Sequence, residues 1–303
     1  MQAVTLLRDG EIVALPTETV YGLGACALNA DACAKIFEAK QRPLHDPLIV
    51  HIPDIAWLER LAEIDEQTLQ LATRFWPGPL TLLLKKRPIV PDLVTAGLDT
   101  VAIRMSAHPL FSEVAQRLGE PIAAPSANRF GRISPTSAAH VMQELGGRFA
   151  LILDGGECCH GVESTIYHAP TRRIFRPGPI TAEDLGASDS EGGKIVVPGS
   201  MPSHYAPRTP LVLECGGKPC ALSNGRLGLL TWSAATILAG DFAAQEILSV
   251  SGDLREAAAN LYGAMRRLDA LALDAILAVP PPETGIGRAI CDRLRRAACG
   301  SGQ

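Results

Sequence analysis

Lys40 and Arg42 lie two residues apart in the stretch AKQRPLHDPLIVH, residues 39–51, with Pro43 and Pro47 close behind. The segment before them has a helical apolar face through Ile36 and Phe37 and a candidate cap at Asn29. Pro43 stops that helix and biases Arg42 towards an extended conformation. Leu48, Ile49 and Val50 then read as a short buried strand ending at His51. Two cations thus leave a helix end while a rigid turn carries the chain into the core, an arrangement suited to a polyanion. Complementing the negative end of the helix is the plainer role for the same charges, and this stretch taken alone favours it.

Other residues with chemical potential also sit at element ends. Pro16-Thr17-Glu18-Thr19 follows a strand over residues 11–15, so the Thr17 and Thr19 hydroxyls beside Tyr21 fit either a ligand contact or a capped turn. Arg104 leaves the apolar strand Thr100–Arg104, and a buried guanidinium demands a partner. A ligand carboxylate, which matches its fork, and a structural ion pair stand as equal readings. In Pro125-Ser126-Ala127-Asn128-Arg129, Ser126 and Asn128 share a face if the segment is extended. Ser134-Pro135-Thr136 reads as the start of a helix through Leu145, whose free N–H groups would suit an anion. Ser164 follows a glycine-containing loop, and Arg176 ends a strand edge over residues 173–175. Three arginines at element ends, with hydroxyls at Thr19, Ser126 and Ser164, fit an anionic small-molecule pocket better than a flat nucleic-acid surface. Gly22-Leu23-Gly24-Ala25-Cys26-Ala27 matches G-x-G-x-x-A, but PTETVY intervenes after the first strand and no acidic strand end follows at the ribose position, so a dinucleotide site is rejected.

The elements that must position these residues alternate. Helices are expected over residues 4–10, through the apolar pattern between Pro53 and Trp76, and over 111–118; strands over 80–84, 121–124 and 150–153. Trp76, surrounded by apolar residues, reads as a core anchor. Residues 184–208 are rich in Gly, Ser and Pro and read as a linker, in which His204-Tyr205 either fastens the chain or covers a site. After Pro210, strands at 211–214, 227–232 and 275–279 alternate with helices. One is capped by an Asp253/Glu256 box with Leu254, Ala257, Ala258, Leu261, Tyr262, Met265 and Leu268 on one face. A final helix follows Gly285-Ile286-Gly287, where capping or close packing is the favoured role. The expected organisation is α/β throughout, with domains at 1–183 and 210–303 and a linker or lid at 184–209.

With 303 residues, 47% hydrophobic and 20% charged, two domains with substantial cores are expected. Twenty-eight basic against 32 acidic residues give a net charge of −4, so no global surplus advertises nucleic-acid binding. No signal peptide is expected, and no apolar run comes near the roughly 18 residues of a membrane span. Eight cysteines without an export signal read as reduced thiols of a cytoplasmic protein. Cys158, Cys159 and His160 are too close together to converge on one metal ion, and no metal site is expected.

In order along the chain, PTETVYGL, AKQRPLHDPLIVHI, FWPGPLTLLL, TVAIRM, APSANRFGRISPT, GVESTIY and RPGPI resemble the YrdC-like family over roughly residues 3–182. Lys40-x-Arg42 and Ser126-x-Asn128 match its K-x-R…S-x-N signature, and SHYAPRTPL with GIGRAICDRLRRAA is similar to its two-domain form, the threonylcarbamoyl-AMP synthases. The resemblance implies a twisted YrdC-like α/β domain with a concave cavity and a smaller Rossmann-like C-terminal domain. It implies that L-threonine, bicarbonate and ATP, the last with Mg²⁺, give threonylcarbamoyl-adenylate and pyrophosphate. The adenylate would pass to other tRNA-modification proteins that modify an adenosine beside the anticodon, with at most a weak tRNA contact here and no membrane. It further implies that Arg104, Thr19, His51, Ser164 and the Ala124 backbone hold threonine. Lys40, Arg42, Ser126 and Asn128 would serve the reacting phosphate, and Asp46, Thr100, Ser134, Arg176 and Tyr205 would contact ATP. An RNA-binding module is disfavoured by the net charge and by the lack of aromatic–basic interleaving. A hydrogenase-maturation type is disfavoured because no acylphosphatase or zinc-finger segment appears.

Overall fold

Nine short strands form one mixed sheet in the first part of the chain: β1 Val13–Leu15, β2 Gly22–Cys26, β3 Ile49–His51, β4 Leu80–Lys85, β5 Thr100–Arg104, β6 Ile122–Ala123, β7 Leu151–Ile152, β8 Thr165–His168 and β9 Arg173–Arg176. Their spatial order is β7-β1-β2-β6-β3-β5-β4-β8-β9. The pairs β1/β7, β3/β5 and β4/β8 are parallel and the others antiparallel. The computed structural model describes residues 1–187, 197–199, 204–214 and 225–300, so most of the expected linker lies outside the described residues. By contacts the chain divides into two units: Met1–Phe130, Pro135–Cys159 and Glu163–Ser200 in the first, Gly131–Ser134, His160–Val162 and Met201–Gln303 in the second.

The helix before the paired cations forms as its sequence dictates. Asn29 accepts a hydrogen bond from the Ala32 N–H (3.0 Å), and the helix Ala30–Lys40 buries Ile36 and Phe37. It closes on Gln41 in the left-handed region (φ 53°), ahead of Pro43. The strand that follows is β3, one residue later than the apolar run suggests. The stretch between Pro53 and Trp76 is two helices, Trp57–Leu61 and Glu66–Phe75, because Ala62 pairs with Lys86 and Asp65 caps a new start through the Thr68 N–H (2.7 Å). Trp76 is a core anchor, 8% exposed, with its indole N–H donating to the Leu80 carbonyl (2.7 Å). The expected helix start at Ser134-Pro135 is displaced to Ala138, with Ser137 as cap. The Pro135 carbonyl is instead spent on the Tyr21 N–H (2.9 Å). Gly22 and Gly24 lie inside β2, and a Cβ on Gly24 would stand 3.0 Å from Ile122 Cγ2. The glycines therefore serve strand packing against β6 rather than a phosphate turn.

The second unit is built on a parallel sheet, β10 Leu211–Leu213, β11 Leu227–Ser233, β12 Ala244–Ser249 and β13 Ala275–Val279, ordered β10-β13-β11-β12. The half-polar edge strand β12 carries no clean sequence signal. The helix Leu254–Asp269 buries Ala257, Ala258, Leu261, Tyr262, Met265 and Leu268, whereas Leu254 is only half-buried. The expected capping box is incomplete. Asp253 caps the Arg255 and Glu256 N–H groups, but the Glu256 carboxylate accepts from the Ser249 hydroxyl, which in turn takes the Asp253 N–H. The last helix, Gly287–Cys299, opens where a Cβ would lie 2.1 Å from the Pro282 carbonyl oxygen, so only glycine fits. Six cysteines among the described residues, Cys26, Cys33, Cys158, Cys159, Cys291 and Cys299, are free thiols. No helix among the described residues is long and apolar enough to cross a membrane.

Candidate functional site

Parallel pairing of β3 with β5 sets His51 beside Arg104 in register, and antiparallel β6 on the other side of β3 brings in Ala124, whose N–H donates to the Ile49 carbonyl (2.9 Å). Arg104 is 3% exposed. Its Nη1 donates to Thr19 Oγ1 (2.9 Å), and Nη2 stands 2.6 Å from Glu18 Oε1. The other Glu18 oxygen accepts from the Ser106 hydroxyl (2.6 Å). Of the two readings of Arg104, an ion pair is therefore present, with Glu18 as the partner. Burial alone would raise the Glu18 carboxyl, yet the Arg104 guanidinium and the Ser106 hydroxyl bring it down to about 2. Burial and the same guanidinium push His51 down to about 3, so its imidazole, packed 4.7 Å from the Phe111 ring, is neutral.

Ser164, just before β8, is fully buried, and its hydroxyl lies 2.7 Å from that of Thr81 on the parallel neighbour β4. Arg176, the last residue of β9, wraps it: Nη2 donates to Ser164 Oγ and Nε to the Ser164 carbonyl (both 3.0 Å), while Nη1 reaches the Pro198 carbonyl (3.2 Å).

The Lys40 ammonium is 1% exposed and donates to the carbonyls of Ser126 and Asn128, each at 2.5 Å. The two signature pairs thus meet through main chain, not through the Ser126 and Asn128 side chains. Asn128 is fully buried with its amide donating to the Arg129 carbonyl (2.8 Å), and Ser126 is half-buried. Burial and the nearby Arg42 draw the Lys40 ammonium well below its ordinary range, against the opposing pull of Asp46 and Glu144. Arg42 folds back over its own turn, donating to the Asp46 (3.0 Å) and Pro47 (2.7 Å) carbonyls and pairing with the Asp46 carboxylate (2.9 Å). Burial raises Asp46 while Arg42 and Lys40 pull it down, and burial prevails.

Thr100 opens β5 at the end opposite Arg104. It shares a small cavity with Pro47 and Pro198, the residues whose carbonyls Arg42 and Arg176 bind. The nine remaining predicted residues of the first unit thereby fall into two groups. Arg104, Thr19, His51 and Ala124 surround one strand end, and Arg42, Asp46, Thr100 and Arg176 gather around two prolines, with Ser164 tied to Arg176. Ser134 and Tyr205 belong to the second unit, and both are buried. Tyr205 is in the left-handed region (φ 62°), stacked 5.8 Å from Tyr262 with the Arg293 guanidinium 5.1 Å from its ring. Glu18, Ser106 and Thr81 were not singled out from sequence; a carboxylate between two threonines beside buried strands was the available signal for Glu18.

Residues 5–178 match the Sua5/YciO/YrdC family model, described as Telomere recombination, and residues 174–299 match the model described as Threonylcarbamoyl-AMP synthase, C-terminal domain. Fold and site together define a two-domain protein of the Sua5 type. Threonylcarbamoyl-AMP synthase of Bacillus subtilis is 45% identical, with 99% of this chain and 92% of that one covered. The Pyrococcus abyssi protein of the same description is 41% identical over 98% of this chain and 93% of its own. The crystal structure of P. abyssi Sua5 complexed with L-threonine is similar over 99% of this chain and 94% of that one, at a TM-score of 0.89 and 38% identity. The chain belongs to the threonylcarbamoyl-AMP synthase family.

Proposed function

We propose that this protein forms L-threonylcarbamoyl-adenylate from L-threonine, bicarbonate and ATP with release of pyrophosphate, as a nucleotidyltransferase acting in threonylcarbamoyladenosine modification of tRNA. The observation that carries the reading is the separation of buried cations into an Arg104 group and a Lys40–Arg42–Arg176 group, one suited to an amino-acid carboxylate and the other to phosphates.

Arg104 offers its guanidinium to the threonine carboxylate. Thr19, Ser164, neutral His51 and the Ala124 backbone complete that pocket with hydrogen-bonding groups that carry no net charge. The threonine amine captures carbon dioxide derived from bicarbonate. A carbamate oxygen then attacks the α-phosphorus in line, the bond to the bridging oxygen breaks, and pyrophosphate leaves. Lys40 and Arg42 offset the developing charge, with Ser126 and Asn128 beside them. Asp46, Thr100 and Arg176 hold the nucleotide. No covalent enzyme intermediate is required, so the chain contributes positioning and fixed charge. Mg²⁺ enters as part of the ATP substrate; Asp46, the carboxylate within this group, is engaged by Arg42. The adenylate passes to tRNA-modification proteins in the cytoplasm, with a weak tRNA contact at most.

Pyrophosphate release from MgATP, with threonine and bicarbonate omitted in turn, tests the reading. Release that needs both supports it. Release indifferent to threonine points to another carbamoyl acceptor, and no release from folded protein refutes the enzyme reading.

A further inference from the structure

Arg104 is aimed by a turn that is itself rigid. The Thr17 hydroxyl accepts the Thr19 (3.1 Å) and Val20 (3.2 Å) N–H groups and donates to the Val20 carbonyl (2.6 Å), so the backbone around Glu18 has little freedom. The Cys159 thiol donates to the Glu18 carbonyl (3.4 Å). Ser106 lies two residues beyond Arg104 and anchors one carboxylate oxygen of Glu18, leaving the other against Arg104 Nη2. The pair is not a closed structural fork. Nη2 is the guanidinium nitrogen that meets Glu18, at Oε1, and the buried Nε–H has no hydrogen-bond partner among the described residues. The Nε–H of a buried guanidinium thus stays available to a ligand carboxylate while the charge is already cancelled. Neighbouring His51 adds no charge.

We propose that Glu18 is the positioning residue of this site: it orients the Arg104 guanidinium and cancels its charge, so that the site takes the zwitterion of an α-amino acid in preference to a bare carboxylate. The inference rests on the reading of Arg104 as the holder of the threonine carboxylate. A lone buried guanidinium would reward a net anion, because binding one would discharge the site. A neutral pair gives no such reward, and a net-neutral ligand enters without leaving a buried charge unbalanced.

Calorimetric titration of the full chain with L-threonine and with (R)-3-hydroxybutyrate, which keeps the carboxylate and β-hydroxyl but lacks the ammonium, tests this directly. The unaltered protein is expected to prefer threonine by roughly tenfold or more, and Glu18→Gln to erase that preference while still binding the hydroxy acid. Glu18→Asp, which keeps the charge, is expected to retain the preference with both ligands weakened. Equal loss of both ligands in Glu18→Gln overturns the inference, as does a hydroxy acid binding the unaltered protein as tightly as threonine. That last comparison needs no variant and therefore does not depend on whether Glu18→Gln folds. Failure of the unaltered protein to bind threonine at all removes the underlying reading of Arg104, a result distinct from an unchanged preference.

Discussion

Replacing Glu18 with glutamine should flatten the acid limb of the stability curve. The Glu18 carboxyl falls from 4.5 to about 2 on folding. Such a depressed group stabilises the fold above its unfolded value, and the contribution is lost as pH falls through the folded one. The gap corresponds to about 3 kcal/mol in full, of which about 2 kcal/mol is gone by pH ~3. The side chain is 7% exposed, so solvent screening takes little from that figure. Urea unfolding at pH ~7 and pH ~3 measures it. The unaltered protein should lose about 2 kcal/mol more than Glu18→Gln between the two conditions, because the variant has no carboxylate to protonate. At neutral pH the variant should itself be about 3 kcal/mol less stable, since Arg104 is left buried without its counter-charge. An identical drop in both proteins would show that the Glu18–Arg104 pair is not coupled to folding and would undo the electrostatic account of the site.

Three further outcomes are expected. His51, held down to about 3 from 6.5, contributes stability present above the unfolded value and lost as pH falls through that window. His51→Gln should thus spare about 3 kcal/mol of the loss between pH ~7 and pH ~4 in the same denaturation assay. Lys40→Met should cut pyrophosphate release by roughly a hundredfold or more. It should also lower stability, because two buried carbonyls lose their donor, and calorimetry of the folded variant separates the two effects. Gly287→Ala places a Cβ 2.1 Å from the Pro282 carbonyl oxygen; a loss of about 2 kcal/mol or more, seen as a lower Tm, is expected.

Where a signal is local, the sequence carries it. Asn29 before an apolar helical face, Pro43 after it and the runs at β4 and β5 specify their elements through capping, ring constraint and burial. The site is less legible because its partners are distant. Nothing near Arg104 in sequence reveals Glu18, 86 positions earlier, since strand pairing alone brings them together. Proline and serine at 134–135 resemble a helix start, but the Pro135 carbonyl is taken by Tyr21, and the helix waits for Ser137. Likewise Glu256 has the spacing of a capping box yet prefers the Ser249 hydroxyl, a partner on a neighbouring strand. The Ser126–Asn128 motif is readable as a pair, while the use of its carbonyls by Lys40 is not, because main-chain acceptors leave no mark on residue type.

The strand order has a consequence for how the protein comes into being. Glu18 and Thr19 precede β2, while His51, Arg104, Ala124 and Ser164 belong to or adjoin β3, β5, β6 and β8; β2, β6, β3, β5, β4 and β8 are consecutive in the sheet. Residues spread over nearly 150 positions must therefore be paired before all of them face one another. A chain emerging from the ribosome can complete this constellation only after β8 has cleared the exit tunnel. Ligand capture then waits on the pairing of β8, and contacts of such long sequence separation make that pairing slow.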